Sequence, residues 1–272
     1  MNNSEKINLN YQVKTSSDSR ISIIFLHGFT GSSNDWLPFF NKLTAPATLI
    51  AVDLPGHGKN YSSTLLDYYN SEFIVKEIDS IINNFCIGKV ILAGYSMGGR
   101  AALTYICSHH EKIRGIILES STAGLEDPGQ KKERIEQDSN LAEFIEHNSI
   151  ETFIDYWLNL PLLKSQKKLD KKILGEIRTT KLLNNRIGLA NALRGFGTGS
   201  MKNLWPELKK IICPSLLITG NLDDKFTAIN RRMNKEIKNS THLIIENCGH
   251  NTHLERPEVF VSLLNSFINQ FI

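Results

Sequence analysis

The apolar residues of this chain fall into short, nearly continuous runs, separated by longer segments of mixed polarity. Such runs are typical of strands that are buried on both faces of a parallel sheet. The segments between them carry apolar residues three and four positions apart, as at Ile74, Ile78 and Ile81, and this spacing predicts amphipathic helices. The predicted strands of the first half are Ile21–Leu26, Thr48–Val52, Lys89–Ala93 and Ile113–Leu118, and the predicted helices are Asp35–Leu43, Ser71–Phe85 and Arg100–Cys107. Their alternation predicts an α/β fold, with a mostly parallel sheet flanked by helices.

The alternation stops after the fourth strand. From about Leu125 to Trp205 the chain is rich in charge, and its pattern predicts helices over Lys131–Glu146, Glu151–Leu160 and Lys168–Leu183. Strand patterns return at Ser215–Thr219 and His242–Glu246. Because the core pattern resumes, we interpret residues 1–122 and 206–272 as one core and residues 123–205 as an inserted helical cap. A separate helical domain is the alternative interpretation.

Composition narrows the range of functions. The 272 residues are 41% hydrophobic, which suffices for one large domain with an insertion. The formal net charge of +3 is spread along the chain and gives little support to nucleic acid binding. No run approaches the length of a membrane span and the N-terminus lacks an apolar signal region, so we expect a soluble cytoplasmic protein without membrane contact. The cysteines have no paired spacing, which favours neither disulfides nor a metal site: Cys86, Cys107, Cys213 and Cys248.

The stretch from Gly94 to Gly98, Gly-Tyr-Ser-Met-Gly, lies between a predicted strand and a predicted helix. A serine on such a sharp turn brings the backbone two residues before and after it into close approach, where only glycine fits. We therefore predict that Ser96 is a nucleophile on a strand-to-helix elbow. The following helix directs free N–H groups toward the serine, and the N–H of Met97 is the first candidate donor to an oxyanion.

Two glycine-containing loops follow the first two predicted strands. The loop His27–Gly31 can offer the N–H of Phe29 as a second oxyanion donor. The other loop is Asp53–Gly58. We expect His27 to hold its turn in shape, and His57 to have a structural or pocket-lining role rather than that of a general base.

An acid and a base for Ser96 are available in the last part of the chain. Asp223 and His250 each lie just past a predicted strand, and the order Ser, Asp, His is that of the α/β-hydrolase fold. We favour Asp223 over its neighbour Asp224. His250 follows a glycine in its loop, whereas we expect His242 and His253 to lie at the surface or behind the site. In its ordinary use this triad makes an esterase, a thioesterase or an amidase.

Arg100 points to a narrower substrate class. It lies one helical turn after Ser96, and helical side chains lean back toward the N-terminus, so its guanidinium can reach the pocket beside the nucleophile. A cation there suits a substrate that carries carboxylates. An arginine paired to a carboxylate of the core or cap is an equally good interpretation from position alone.

With these motifs together, the chain closely resembles the α/β-hydrolase-fold lyases of menaquinone synthesis, the 2-succinyl-6-hydroxy-2,4-cyclohexadiene-1-carboxylate synthases. The similarity covers nearly the whole chain. Some of its motifs, the elbow and the two glycine loops, are shared by many α/β-hydrolases, whereas the surroundings of Tyr95 and Arg100 are more discriminating. The resemblance is carried by Gly94–Arg100, His27–Gly31, Asp53–Gly58, Leu193–Ser200, Leu204–Trp205, Asp223–Phe226 and Gly249–Asn251.

The resemblance implies an elimination rather than a hydrolysis. The family substrate carries a succinyl group, a ring carboxylate and an enolpyruvyl ether, and the family expels pyruvate without a metal or an organic cofactor. By the same resemblance Ser96 and His250 would act as a base on carbon, Asp223 would hold His250, and the Phe29 and Met97 N–H groups would stabilise the developing oxyanion. The residues that would bind substrate are Tyr95, Arg100, Arg134, Trp157 and Arg178, with Trp157 as a wall of the cap.

Two other functions stay open at this point. A carboxylesterase, thioesterase or lactone hydrolase would use the same triad. A ligand receptor on a hydrolase scaffold is disfavoured, because a receptor has no need to keep nucleophile, acid and base together. We expect a small-molecule partner with several carboxylates, and the sequence leaves the oligomeric state open.

Overall fold

The sheet is the framework of the computed structural model, which describes residues 9–16, 18–60, 65–86 and 88–272. Its strands are β1 (Tyr11–Lys14), β2 (Ile21–Leu26), β3 (Ala47–Val52), β4 (Lys89–Tyr95), β5 (Ile113–Glu119), β6 (Ser215–Gly220) and β7 (Ser240–Ile245). Within the described ranges these form a seven-stranded sheet in the order β1-β3-β2-β4-β5-β6-β7. β1 pairs antiparallel with β3, and the other neighbouring pairs are parallel. The predicted α/β-hydrolase architecture with a mostly parallel sheet is confirmed.

The six predicted strands are confirmed, with ends that differ by no more than two residues. β1 was not predicted. It has four residues, and Val13 and Lys14 are exposed, because it lies at the edge of the sheet and covers little of the core. Such a strand lacks the apolar run by which the buried strands were recognised.

The helices are α1 (Leu37–Phe40), α2 (Ser71–Phe85), α3 (Met97–Ser108), α4 (Pro128–His147), α5 (Ile150–Leu158), α6 (Lys171–Leu182), α7 (Arg186–Phe196), α8 (Asp224–Glu236), α9 (Thr252–Glu255) and α10 (Pro257–Ile268). Short 3-10 helices occupy Ser33–Asp35, Leu66–Tyr69, Pro161–Lys168, Trp205–Lys210 and Asn269–Phe271. Helices α4 to α7 lie between β5 and β6, in the segment that we expected to form the cap. The exact boundaries of that cap stay a prediction.

Several helix predictions need correction at their ends. The helix predicted over Arg100–Cys107 begins at Met97, and the helix predicted over Glu151–Leu160 ends at Leu158. The helix predicted over Asp35–Leu43 is only the short 3-10 turn and α1, which has Pro38 in its first turn. The helix predicted from Lys168 begins at Lys171, because Asp170 caps it by accepting the N–H of Lys172 at 2.8 Å. The helix predicted from Lys131 begins three residues earlier, at Pro128.

α7 was not predicted as a helix, and its glycines explain both the omission and its position. The alpha carbon of Gly188 approaches the loop after β3 so closely that an added Cβ would lie 2.6 Å from the carbonyl oxygen of Gly56. A Cβ on Gly195 would lie 2.6 Å from the Cβ of Tyr69. Glycine weakens a helix pattern in the sequence, yet here it allows α7 to pack directly on backbone.

Alternate residues of the strands enter two apolar clusters on opposite faces of the sheet, as Ile24 and Phe25 do in β2. The parallel register also sets the site. Leu26 at the end of β2 pairs with Gly94 near the end of β4, so the first glycine loop lies beside the elbow. Gly220 at the end of β6 pairs with Ile245 at the end of β7, so the loops that carry the predicted acid and base are neighbours.

Candidate active site

Ser96 lies on the turn between β4 and α3 with φ 50° and ψ −106°, a left-handed conformation that a non-glycine residue rarely adopts. A Cβ on Gly94 would lie 2.4 Å from the carbonyl carbon of Gly98, and a Cβ on Gly98 would lie 2.0 Å from the carbonyl oxygen of Leu26. Both neighbours are backbone, so neither position can accept a side chain without moving the turn. The turn therefore has the sharp geometry that the glycine spacing predicts.

Ser96, His250 and Asp223 form a continuous hydrogen-bonded chain. The Ser96 Oγ is 3.0 Å from the His250 Nε2, and the His250 Nδ1 is 2.6 Å from the Asp223 Oδ2. The other carboxylate oxygen of Asp223 accepts the N–H of Phe226 at 3.2 Å, which fixes the acid at the start of α8. His250 and Asp223 are 2% and 6% exposed, so bulk water has little access to the pair. The arrangement can withdraw a proton from Ser96 and hold it on His250.

The rejected alternatives to the acid and base lie outside this hydrogen-bonded chain. Asp224 is exposed in the first turn of α8. The Nε2 of His242 lies 2.8 Å from the Thr219 Oγ1, and burial lowers the pKa of His242 to about 4. The Nδ1 of His253 lies 2.6 Å from the Glu119 Oε2, behind the site.

The histidines of the two glycine loops bind backbone. The Nδ1 of His27 lies 2.7 Å from the carbonyl oxygen of Gly28, and its Nε2 accepts the N–H of Leu54 at 2.9 Å. The Nδ1 of His57 lies 3.0 Å from the carbonyl oxygen of Pro55. Burial lowers the pKa of both imidazoles. The two rings are neutral and pack against each other between the two loops, with ring centroids 5.0 Å apart.

Two backbone N–H groups are available for an oxyanion. Met97 is the first residue of α3, so its N–H has no acceptor within the helix. Phe29 follows β2 in the loop beside the elbow, and both residues line the cavity above Ser96. Neither N–H has a hydrogen-bond acceptor among residues 9–16, 18–60, 65–86 and 88–272.

A cavity of about 760 Å³ lies between the sheet and the cap helices and reaches Ser96 and His250. Its walls are mainly apolar, and Trp157 packs edge-on against Phe29 with ring centroids 5.0 Å apart. The charged residues of its lining are Asp35, Lys42, Arg100, Arg134, Glu176, Lys181 and Lys225. Cations outnumber carboxylates in this set, which favours an anionic ligand.

Arg100 is 8% exposed and its guanidinium is held without an ion pair. Its Nη1 donates to the carbonyl oxygen of Phe196 at 2.6 Å, and the guanidinium lies 5.0 Å from the centroid of the Phe196 ring. No carboxylate oxygen of the described residues lies within 4.0 Å of it. Burial and then the nearby Arg134 lower the pKa of Arg100 to about 10. Arg100 is therefore not paired to a carboxylate of the core or cap, which was the alternative interpretation.

The remaining predicted substrate-binding residues divide into two groups. Tyr95, Arg134 and Trp157 line the cavity, although Arg134 also donates its Nε to Asp138 at 2.8 Å. Arg178 does not line it. It lies on the outer side of α6 and binds both carboxylate oxygens of Asp155, at 2.7 and 3.0 Å. Its role in binding substrate stays a prediction that this arrangement does not support.

Sequence reasoning missed Lys181 in the cavity wall and Glu119 behind the site. Neither belongs to a short sequence motif, and each meets its partners through long-range packing. Among the described residues, no helix is both long and apolar enough to cross a membrane. The described chain also has no group of three or more His, Cys, Asp or Glu residues that could hold a metal ion.

The fold and the hydrogen-bonded serine, histidine and aspartate define a protein of the α/β-hydrolase type. The profile of the α/β hydrolase fold family matches residues 21–257. A relative from Bacillus subtilis (strain 168) is 39% identical over 91% of this chain and 90% of its own. Its assigned name is 2-succinyl-6-hydroxy-2,4-cyclohexadiene-1-carboxylate synthase. The synthase of that name from Yersinia enterocolitica is 28% identical over 91% of this chain and 86% of its own. The solved structure of MenH from S. aureus has a TM-score of 0.91 and 35% identity, and covers 96% of this chain and 98% of its own.

The chain therefore belongs to the α/β-hydrolase fold family and, within it, to the 2-succinyl-6-hydroxy-2,4-cyclohexadiene-1-carboxylate synthases. This confirms the family that the sequence resemblance indicated.

Proposed function

We propose that this protein is a carbon–oxygen lyase of menaquinone biosynthesis. It converts 2-succinyl-5-enolpyruvyl-6-hydroxy-3-cyclohexene-1-carboxylate to 2-succinyl-6-hydroxy-2,4-cyclohexadiene-1-carboxylate (SHCHC) and releases pyruvate. Family membership supports the reaction. The observation that carries it is the buried Arg100 without a carboxylate partner, in the same cavity as Ser96 and His250. Burying a cation costs free energy unless an anion pairs with it, and this substrate carries three carboxylates.

The reaction is a proton removal followed by loss of a leaving group. The Ser96–His250 pair takes the proton from C2, and the electrons of that C–H bond form the C2=C3 double bond. The former C3=C4 pair moves to C4=C5, and the C5–O bond breaks to release the enolate of pyruvate, which takes up a proton. Asp223 holds His250 in position and stabilises its protonated form.

The two N–H groups of Met97 and Phe29 act on the first of these steps. Removing the C2 proton places negative charge on the oxygen of the adjacent succinyl carbonyl. Preorganised N–H donors at that oxygen stabilise the charge as it develops, without reorganisation of the protein. The scheme forms no acyl-enzyme, so Ser96 serves as part of a base rather than as a nucleophile toward carbon.

Substrate binding uses the cavity lining. Arg100 grips one carboxylate, since its position beside the elbow leaves the guanidinium within the cavity. Arg134 adds positive charge next to it, and Tyr95 and Trp157 form walls for the apolar part of the ring.

Pyruvate release from freshly generated substrate tests the proposal. The pyruvate is coupled to lactate dehydrogenase and followed by loss of NADH, with wild type beside Ser96→Ala and Arg100→Met. We expect Ser96→Ala to reduce kcat by on the order of 10²–10⁴-fold. We expect Arg100→Met to reduce kcat/KM by on the order of tenfold to a thousandfold, because a buried charge-assisted contact is lost. Arg114→Met, at an exposed arginine of β5, is the matched control and should match wild type.

A short chromogenic ester separates this function from the hydrolase alternative. Rapid pyruvate release that depends on Ser96, with little ester cleavage, supports the lyase. No acceleration over the spontaneous elimination, together with Ser96-dependent ester cleavage, would mean that the protein is a hydrolase of another acid.

A further inference from the structure

A second cation enters the cavity from the cap. Lys181 lies in the last turn of α6 and is partly buried in the cavity wall. Its Nζ donates to the Thr30 Oγ1 at 2.9 Å and lies 3.5 Å from the carbonyl oxygen of Thr30. Thr30 follows Phe29 in the loop beside the elbow, and Phe29 and Lys181 line the same cavity as Ser96.

No protein carboxylate neutralises Lys181. Within the part of the chain that the structure describes, no carboxylate oxygen lies within 4.0 Å of its Nζ. Asp35 attracts it from further away, while the Asp35 Oδ2 accepts the N–H of Ser32 at 3.3 Å. Burial lowers the pKa of Lys181, and the attraction of Asp35 offsets this only in part. An anion in the cavity would reverse that balance.

The orientation of α6 selects Lys181 rather than Arg178. The residues of α6 that line the cavity are Ile173, Glu176, Ile177, Thr180 and Lys181. Arg178 is held on the outer side by its two contacts with Asp155. The cation that α6 presents to the cavity is therefore Lys181.

The surroundings of Lys181 are separate from those of Arg100. Arg100 contacts Phe196 and lies near Arg134, whereas Lys181 contacts Thr30 and is attracted by Asp35. The two cations share none of these partners, so one cavity offers two separated positive positions. A ligand with several carboxylates, spaced around a ring, carries one for each of these positions.

We propose that Lys181 forms a second carboxylate-binding position in this cavity, distinct from Arg100. The assignment of that carboxylate to the cyclohexene substrate rests on the proposed function. Lys181 binds either a carboxylate that SHCHC retains or that of the departing pyruvate, and its ammonium supplies a hydrogen bond and charge to it. If Lys181 served only to balance Asp35, ligand binding would not depend on it.

Binding measurements test the position without relying on turnover. SHCHC and pyruvate are the two probes, because together they carry every carboxylate of the substrate. Calorimetry compares wild type, Lys181→Met, Lys181→Arg and Lys172→Met. The last is the matched control, since Lys172 is an exposed lysine of the same helix. We expect Lys181→Met to weaken binding of at least one probe by roughly tenfold or more, whereas Lys181→Arg and Lys172→Met stay within about threefold of wild type.

The outcomes separate the two proposals. Lower affinity in Lys181→Met alone supports the position, even if wild type releases no pyruvate from substrate and the proposed reaction fails. Equal affinity of Lys181→Met and wild type for both probes overturns the position, even if wild type is an active lyase. A wild type that binds neither probe overturns it as well.

Discussion

Replacing Glu119 with alanine should destabilise the fold strongly. Glu119 ends β5, is 1% exposed, and accepts four hydrogen bonds from the segment just after His250. Its Oε1 binds the N–H and hydroxyl of Thr252 at 2.5 and 2.7 Å and the N–H of His253 at 2.9 Å. Its Oε2 lies 2.6 Å from the Nδ1 of His253. Its own carbonyl oxygen accepts the N–H of Ser96 at 2.8 Å, so one residue links the elbow to the histidine loop.

The magnitude follows from what alanine leaves behind. Each buried donor without a partner costs about 1–3 kcal/mol, and local rearrangement recovers part of the sum. We therefore expect Glu119→Ala to lower the free energy of unfolding by about 3–5 kcal/mol, because several buried donors lose their acceptor together. Glu119→Gln keeps one carbonyl oxygen for the Oε1 contacts and should lose only about 1–2 kcal/mol.

Urea unfolding, followed by tryptophan fluorescence, measures these differences. Glu136→Ala, at an exposed glutamate of α4, is the control and should stay within about 0.5 kcal/mol of wild type. If the free energy of unfolding of Glu119→Ala lies within about 1 kcal/mol of that of wild type, the four contacts do not stabilise the His250 loop as we argue.

Three further predictions concern stability. Gly98→Ala should destabilise the protein by about 2 kcal/mol or more, because the new Cβ would meet the carbonyl oxygen of Leu26 at 2.0 Å. Gly175→Ala has open space around its Cβ and should stabilise the protein by about 0.5–1 kcal/mol. Thermal unfolding measures both changes, and reversed signs would contradict the argument. Below pH 6.5 the unfolded chain protonates His242 while the folded protein keeps it neutral to about pH 4, so stability falls as pH decreases through this range. His242→Gln should therefore lose less stability between pH 7.5 and 5 than wild type, and an identical loss in urea titrations would count against the burial argument. Arg100→Met should leave the ligand-free protein as stable as wild type or more stable, because it removes a buried unpaired charge; a clear fall in Tm would show that the guanidinium stabilises the fold.

The parts of the site that the sequence predicts well are those fixed by short-range geometry. The glycines around Ser96 are required by contacts with neighbouring backbone, so their spacing alone indicates the turn. Asp223 and His250 are predicted to lie together because each follows a strand of a parallel sheet, and the register brings those strand ends together. Local sequence and topology are sufficient for both inferences.

The cap was harder to predict because its sequence does not determine how each cap helix is rotated about its own axis. α6 has no fully buried residue, so no apolar stripe shows which of its sides faces the core. Arg178 and Lys181 are three positions apart, which places them only about 60° apart around the helix. A modest rotation thus decides which of the two cations reaches the cavity. Glu119 was missed for a related reason, since its partners are more than 130 positions away in the chain.

The unpaired cations also predict that stability and ligand binding oppose each other in this protein. Arg100 and Lys181 would each be more stable with a protein carboxylate beside them, yet Asp138 is bound by Arg134 and Asp155 by Arg178. Cap carboxylates thus neutralise the arginines at or beyond the edge of the cavity and leave its inner cations free for a ligand. An added cap carboxylate that paired with Arg100 would stabilise the empty protein and compete with an anionic substrate for the same guanidinium. We therefore expect the free charge of the cavity to favour an anionic ligand.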